Sequence, residues 1–171
     1  MINFRTLGDM YMKKYMPMTD VQKHRALQLF LEGAKYRLGT ENLFSTDCSG
    51  VLSWPLLCMG YDIRITADGF YKTLYIHDYD AGHTWRDETL AVFYLMNGKA
   101  SHVSAVVGRN VLLDAWDEDH LAELKDMDTT VQWYRENGYE VKLRGLDWAA
   151  VKSSGRLSYD VDDIIYGLHT Q

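Results

Sequence analysis

The chain has 171 residues, 47% of them hydrophobic and 25% charged, which is the composition of one globular domain with a full core. A formal net charge of −6, with no run of more than two Lys or Arg, argues against a nucleic-acid or polybasic membrane surface. Two cysteines are too few for a disulfide framework, no apolar stretch approaches the roughly 20 residues of a membrane span, and the first residues lack the apolar core of a signal peptide. The expectation is a single domain over 1–171, cytoplasmic as synthesised, with both thiols free.

Residues 1–18 are Met-rich, run up to Pro17 and read as a short helical arm. Thr19 and Gln22 have the spacing of a capping box. Leu27, Phe30, Leu31, Ala34 and Leu38 then recur at helical period, which predicts a helix from about Asp20 to Arg37, stopped near Gly39. A polar loop follows to Thr46. From Cys48 to Met59 apolar side chains fall on nearly every side, the pattern of a helix buried at the domain centre, with Gly60 as its stop. Pro55 should kink that helix or limit its first regular part to two turns. Along a helix, Cys48 and Cys58 lie roughly 15 Å apart, too far for a disulfide. Cys58 therefore reads as a small buried hydrophobe. Thr66 can cap another short helix to about Tyr75. His77 to Glu88 is polar and reads as loop. His77 and His83 in it lack a cysteine or carboxylate cluster at ligand spacing, so no metal and no cofactor is expected.

Strand patterns begin at Leu90. Leu90–Leu95 is β-branched and aromatic and is followed by the turn pair Asn97-Gly98. His102–Val107 and Val111–Trp116 are two further runs, so the three should form an antiparallel meander. From Asp117 the chain is acidic, then helical, with Asp128 as N-cap and Gly138 as stop. Tyr139–Arg144 alternates as another strand, and the acidic tail includes Tyr159–Asp163. Helices first and antiparallel strands later make the fold class α+β.

The chemistry centres on Cys48, at the mouth of the buried helix, where unpaired N–H groups and the helix dipole favour thiolate. His102 is a base in strand context, and Asp114 stands twelve residues beyond it. With a three-residue loop at Gly108–Asn110, Ser104 opposes Asp114 and His102 opposes Trp116, so all four share one face. A two- or four-residue loop would put His102 and Asp114 on opposite faces. Given the first register, thiol, imidazole and carboxylate have the roles of nucleophilic acyl transfer. The Cys48 N–H would be one oxyanion donor. Asp47 opposes a thiolate beside it, so it must hold the loop or grip a cationic part of a substrate. Each of these residues alone is more often packing or surface; the three in this order point to catalysis. His24, His120 and His169 have no such context and read as surface residues.

Tyr36-Arg37-Leu38-Gly39, Asp47-Cys48-Ser49-Gly50, Leu90–Tyr94 and Ser101-His102-Val103 with Gly108 resemble the NlpC/P60 cysteine peptidases of bacterial cell walls. The likeness runs from about Leu27 to Trp116. It implies a papain-like core, in which a helix carrying the nucleophile packs on an antiparallel sheet carrying the histidine. It also implies hydrolysis of peptidoglycan stem peptides, commonly between D-glutamate and the following diamino acid, so the implied partner is peptidoglycan or a muropeptide. Carried over by position, Cys48 is the nucleophile, His102 the base and Asp114 the third residue. Tyr36 would line the oxyanion site, and Asp47 and Ser49 would hold a substrate's amino end, with Ser101 and Trp116 beside the histidine. Glu88-Thr89 replace the family's usual Gly-Asp, and residues 117–171 match no part of the family pattern. An amidase or acyltransferase on the same fold, or a non-catalytic phage or virion binding module, are the alternatives.

Overall fold

The computed structural model describes residues 18–79 and 85–154; the N-terminal arm, His83, His169 and the acidic tail lie outside them. Helix α1 (Asp20–Leu29) opens with the expected capping box: Thr19 Oγ1 accepts from Gln22 N–H at 3.2 Å, and Gln22 Oε1 accepts from Thr19 N–H at 2.9 Å. It ends well before Arg37. Gly33 adopts φ +84°, which breaks the helical path, and Lys35–Tyr36 form strand β1 instead. Phe30 and Leu38, placed on the buried face by periodicity, are exposed.

The buried face of α1 carries His24 and Gln28, both fully inside, so His24 is not the surface residue the sequence suggests. The reason lies in helix α2 (Gly50–Cys58), where every residue from Gly50 to Leu57 is buried. Pro55 has no N–H to give the carbonyl of Val51. Gln28 Nε2 donates to that carbonyl at 3.1 Å, and His24 Nε2 lies 3.3 Å from the neighbouring Leu52 carbonyl. A buried carbonyl without a partner costs about 1–3 kcal/mol, so two polar side chains of α1 are buried to serve α2. Burial lowers the His24 pKa to about 4, despite the opposing pull of the Leu52 carbonyl and the Gln28 side chain, so the ring is neutral at pH 7.

Strand β2 (Ser45–Thr46) pairs parallel with β1, setting Tyr36 beside Thr46. Helix α3 (Ala67–Thr73) is capped by Thr66, as expected. Six antiparallel strands follow: β3 (His77–Asp78), β4 (Leu90–Met96), β5 (Lys99–Gly108), β6 (Val111–Asp114), β7 (Glu123–Asp126) and β8 (Glu140–Gly145), in the spatial order β3-β8-β4-β5-β6-β7. Ala91, Phe93, Leu95, Val103 and Ala105 face the α2 and α3 side chains Leu52, Trp54, Leu56 and Phe70. Leu90, Val92, Tyr94, Val106 and Leu112 face the other way, against Tyr134 of helix α4 (Met127–Glu136).

Three features depart from the sequence reading. Part of the expected His77–Glu88 loop is strand β3. The N-cap of α4 is Asp126, whose carboxylate accepts from Thr129 N–H at 2.8 Å, rather than Asp128. Glu123–Asp126, in the stretch read as acidic and then helical, is strand β7 at the edge of the sheet, while the expected strand β8 lies between β3 and β4. Helix α5 (Trp148–Ser153) returns to α1, where Trp148 meets the His24 ring edge-on at 5.8 Å and Lys152 pairs with Asp20 at 2.8 Å.

Candidate active site

Cys48 is half-buried, two residues ahead of the first helical residue of α2. Its segment is held by Asp47, which is 3% exposed. Asp47 Oδ1 accepts from Gly50 N–H at 2.7 Å and from Ser49 Oγ at 3.0 Å; Oδ2 accepts from Gly39 N–H at 2.8 Å and from Arg64 Nη2 at 2.6 Å. Burial alone would raise its pKa, but Arg64 and the two backbone donors outweigh that and lower it, so Asp47 is ionised. Of its two possible roles, holding the loop is directly visible. Arg64 also donates to Ser49 Oγ at 2.9 Å and places its charge beside that of Asp47. Gly50 is required by space. A Cβ there would lie 2.2 Å from Thr46 Oγ1 and 2.8 Å from the Thr40 carbonyl oxygen.

His102 and Asp114 do share one face, by a different route from the one the loop length suggests. Gly108 pairs with Val111, so the loop is the two residues Arg109 and Asn110. That alone would part the pair. Between Gly108 and Val106, however, strand β5 advances two residues while β6 advances one, leaving Val107 as a bulge. The bulge restores the parity, and Ala105 pairs with Leu113. A second bulge leaves Ser101 unpaired against β4, next to His102, which pairs with Tyr94.

His102 Nε2 lies 2.6 Å from Asp114 Oδ1, and both residues are buried. Ser104 Oγ donates to the same oxygen at 3.0 Å, and Lys125 Nζ of β7 donates to Oδ2 at 2.9 Å. Burial would raise the Asp114 pKa, but His102 and Lys125 pull it well below the ordinary carboxylate range. A carboxylate can only accept, so the proton of this contact sits on His102 Nε2, and Nδ1 is the ring nitrogen outside it. For His102 itself, burial would lower the pKa. Hydrogen bonds to Asp114 and Cys48, and their charges, outweigh it and raise the value to about 9. The imidazole is stacked with Tyr94 at 5.4 Å and Tyr134 at 5.8 Å between ring centroids.

Tyr36 is half-buried. Burial first, then the charges of Cys48 and Asp47, raise its pKa, so its hydroxyl stays a proton donor. Trp116 is 40% exposed, lies between the His120 ring at 5.4 Å and Lys125 Nζ at 4.7 Å, and with Trp133 lines a pocket of about 230 Å³ whose floor includes Tyr134. Ser101 is exposed, with Oγ 3.3 Å from the Tyr94 carbonyl. Cys58 lies apart from this cluster, and burial pushes its thiol up to about 12. Arg64, Lys125 and Tyr134 were not singled out by the sequence. Lys125 could have been found only by recognising β7, whose charged stretch Glu123-Leu124-Lys125-Asp126 has no alternating apolar pattern.

No family model matches the chain, and no curated protein matches it. Solved structures do. NlpC2 from Trichomonas vaginalis superposes with a TM-score of 0.56 and 19% identity, over 77% of this chain and 48% of that one. RipD from Mycobacterium tuberculosis, a non-catalytic NlpC/p60 domain protein adapted to peptidoglycan binding, gives 0.56 and 14% over 74% and 97%. The NlpC/p60 domain of the peptidoglycan hydrolase SagA gives 0.50 and 19% over 72% and 97%. This chain folds as an NlpC/P60 domain. The fold includes the helix packed on an antiparallel sheet that the resemblance implies. The chain spans about half the length of the Trichomonas protein.

Proposed function

We propose that this domain is a cysteine peptidase acting on peptidoglycan-type peptides, with Cys48 as nucleophile, His102 as proton carrier and Asp114 as orienter. The observation that supports it is the buried contact of His102 Nε2 with an ionised Asp114 at 2.6 Å, with the Cys48 thiol near enough to help raise the pKa of the same imidazole. In this mechanism Cys48 Sγ attacks the scissile carbonyl carbon as thiolate, and the carbonyl π pair becomes the oxyanion. Cys48 N–H and the Tyr36 hydroxyl are the candidate donors to it. Collapse breaks the C–N bond while the imidazolium passes its Nδ1 proton to the leaving amine. Water, deprotonated by the then neutral His102, attacks the thioester and releases the acid and the thiol.

Arg64 already gives Asp47 a cation, so a substrate's amino end reaches Asp47 and Ser49 only by sharing them with Arg64. Tyr36, Ser101 and Trp116 remain open for substrate contact. The peptidoglycan assignment draws on the SagA and RipD domains, whose described roles involve that polymer. Cys48→Ala should abolish cleavage of a γ-D-glutamyl peptide by the folded protein; equal turnover by variant and wild type rejects the proposal. RipD gives weight to a second reading, a domain that binds peptidoglycan without cutting it. A thiolate-selective alkylator separates the two: Cys48 far faster than Cys58 near neutral pH supports catalysis, and comparable slow labelling supports binding alone.

A further inference from the structure

Asp114 carries a full negative charge at 1% exposure, in contact with an imidazole that must release a proton in every turnover. A buried carboxylate facing imidazolium, with no other cation near it, strengthens that ring's hold on its proton. General-acid transfer to a leaving amine needs the opposite, a proton held loosely enough to give away. The structure supplies a second cation on the far oxygen. Lys125 Nζ bonds Asp114 Oδ2 at 2.9 Å, while His102 Nε2 and Ser104 Oγ take Oδ1. Lys125 is fixed in turn: its ammonium lies 3.5 Å from Glu123 Oε1 and 4.7 Å from the Trp116 ring centroid, and its side chain is 21% exposed.

We propose that Lys125 is a positioning residue for the Cys48–His102 pair. By taking the outer oxygen of Asp114 and offsetting its charge, it limits how tightly His102 holds its proton. The proposal rests on the roles given to Cys48, His102 and Asp114 above. It also gives a function to β7, which belongs to the part of the chain that matched no family pattern.

The groups facing His102 are Asp114 from β6, Cys48 ahead of α2, and the neutral phenols Tyr94 from β4 and Tyr134 from α4. Those facing Lys125 are Asp114 and Glu123, with His120 and its partner Asp117 just beyond Trp116. Among these, Lys125 is the cation bonded directly to the orienting carboxylate. A unit charge about 6 Å from the imidazole at an effective dielectric of about 20 corresponds to a shift of about two pH units, and solvent screening at the 21% exposed lysine reduces it to about one to two.

The test is NMR titration of the His102 ring in the Cys48→Ala protein, comparing Lys125, Lys125→Met, Lys125→Gln and Lys125→Arg. Loss of the charge should move the His102 midpoint upward by about one to two pH units. Lys125→Arg, which keeps the charge, should leave it near the parent value. If Lys125→Met fails to fold, Lys125→Gln, which retains a hydrogen-bond donor, carries the comparison. An unmoved midpoint in a folded charge-loss variant overturns the proposal. So does a downward shift, the signature of a lysine that merely props the His102–Asp114 contact. The titration needs no turnover, so an upward shift in a protein that cuts no peptide rejects the peptidase reading alone.

Discussion

The burial of Gln28 makes a quantitative prediction about how the nucleophile helix is held. Pro55 leaves the Val51 carbonyl without its helical donor, and Gln28 Nε2 fills that place at 3.1 Å in a fully buried setting. Gln28→Met keeps the length and apolar volume of the side chain but removes the amide. The carbonyl is then orphaned, at a cost of about 1–3 kcal/mol. In a domain of this size that lowers Tm by about 2–4 °C for each kcal/mol. Pro55→Ala restores an N–H at position 55, which can bond Val51 within the helix. Gln28→Met should therefore cost much less in that background, with a coupling energy of about 1–2 kcal/mol. Urea unfolding of the four proteins in the cycle, extrapolated linearly, measures it. Equal losses in both backgrounds would refute the idea that Gln28 is buried to serve the carbonyl freed by Pro55.

Two further outcomes follow from buried groups. The folded-state pKa of His24, about 4, is below its unfolded value of 6.5, so the unfolded chain binds the extra proton between them. Its contribution is complete above pH 6.5 and is lost as pH falls toward 4, about 3 kcal/mol in all. Unfolding curves of wild type and His24→Gln across that window should converge at the acid end; parallel curves would refute the assignment. His102 works in the opposite sense, since its raised pKa gives stability that is present below 6.5 and lost as pH rises through about 9. Gly50→Ala forces its new methyl against the Thr40 carbonyl and Thr46 Oγ1, and should destabilise the domain by about 1–3 kcal/mol. A variant that melts with the wild type would show that the loop yields without cost.

Local chemistry made much of the fold legible. The Thr19/Gln22 box, the Thr66 cap, the Asn97-Gly98 turn and the stop at Gly138 all stand where the sequence puts them. Long-range demands explain the misses. Periodicity extended α1 to Arg37 because Leu31 and Ala34 are indeed buried, but they are buried past the helix end, on a turn that Gly33 opens. His24 looked like a surface residue because nothing local reveals that α1 packs against a helix whose Val51 carbonyl is left without a donor by a proline far along the chain. Strand β3 is two residues long and takes its partner from β8, so it has no alternation of its own to read.

The candidate site shows the same division in a sharper form. Side-chain types and order are local facts, and Cys48, His102 and Asp114 could be chosen from them. Their meeting depends on strand parity, which is the sum of loop and bulge. A three-residue loop with no bulge and a two-residue loop with one bulge give the same pairing of Ala105 with Leu113, and only the second occurs. The loop expectation failed while the geometry it was meant to secure held. The bulge leaves the short turn at Arg109-Asn110 intact, where Asn110 adopts φ +57° and its side chain bonds Asp126 and the backbone of Asp128. Asn110 thus ties the β5–β6 turn to the end of β7, the strand that carries Lys125 to Asp114. Lengthening the loop would reset that tie, whereas placing the extra residue at Val107, inside the core, corrects the register of His102 and leaves the far end of the meander anchored.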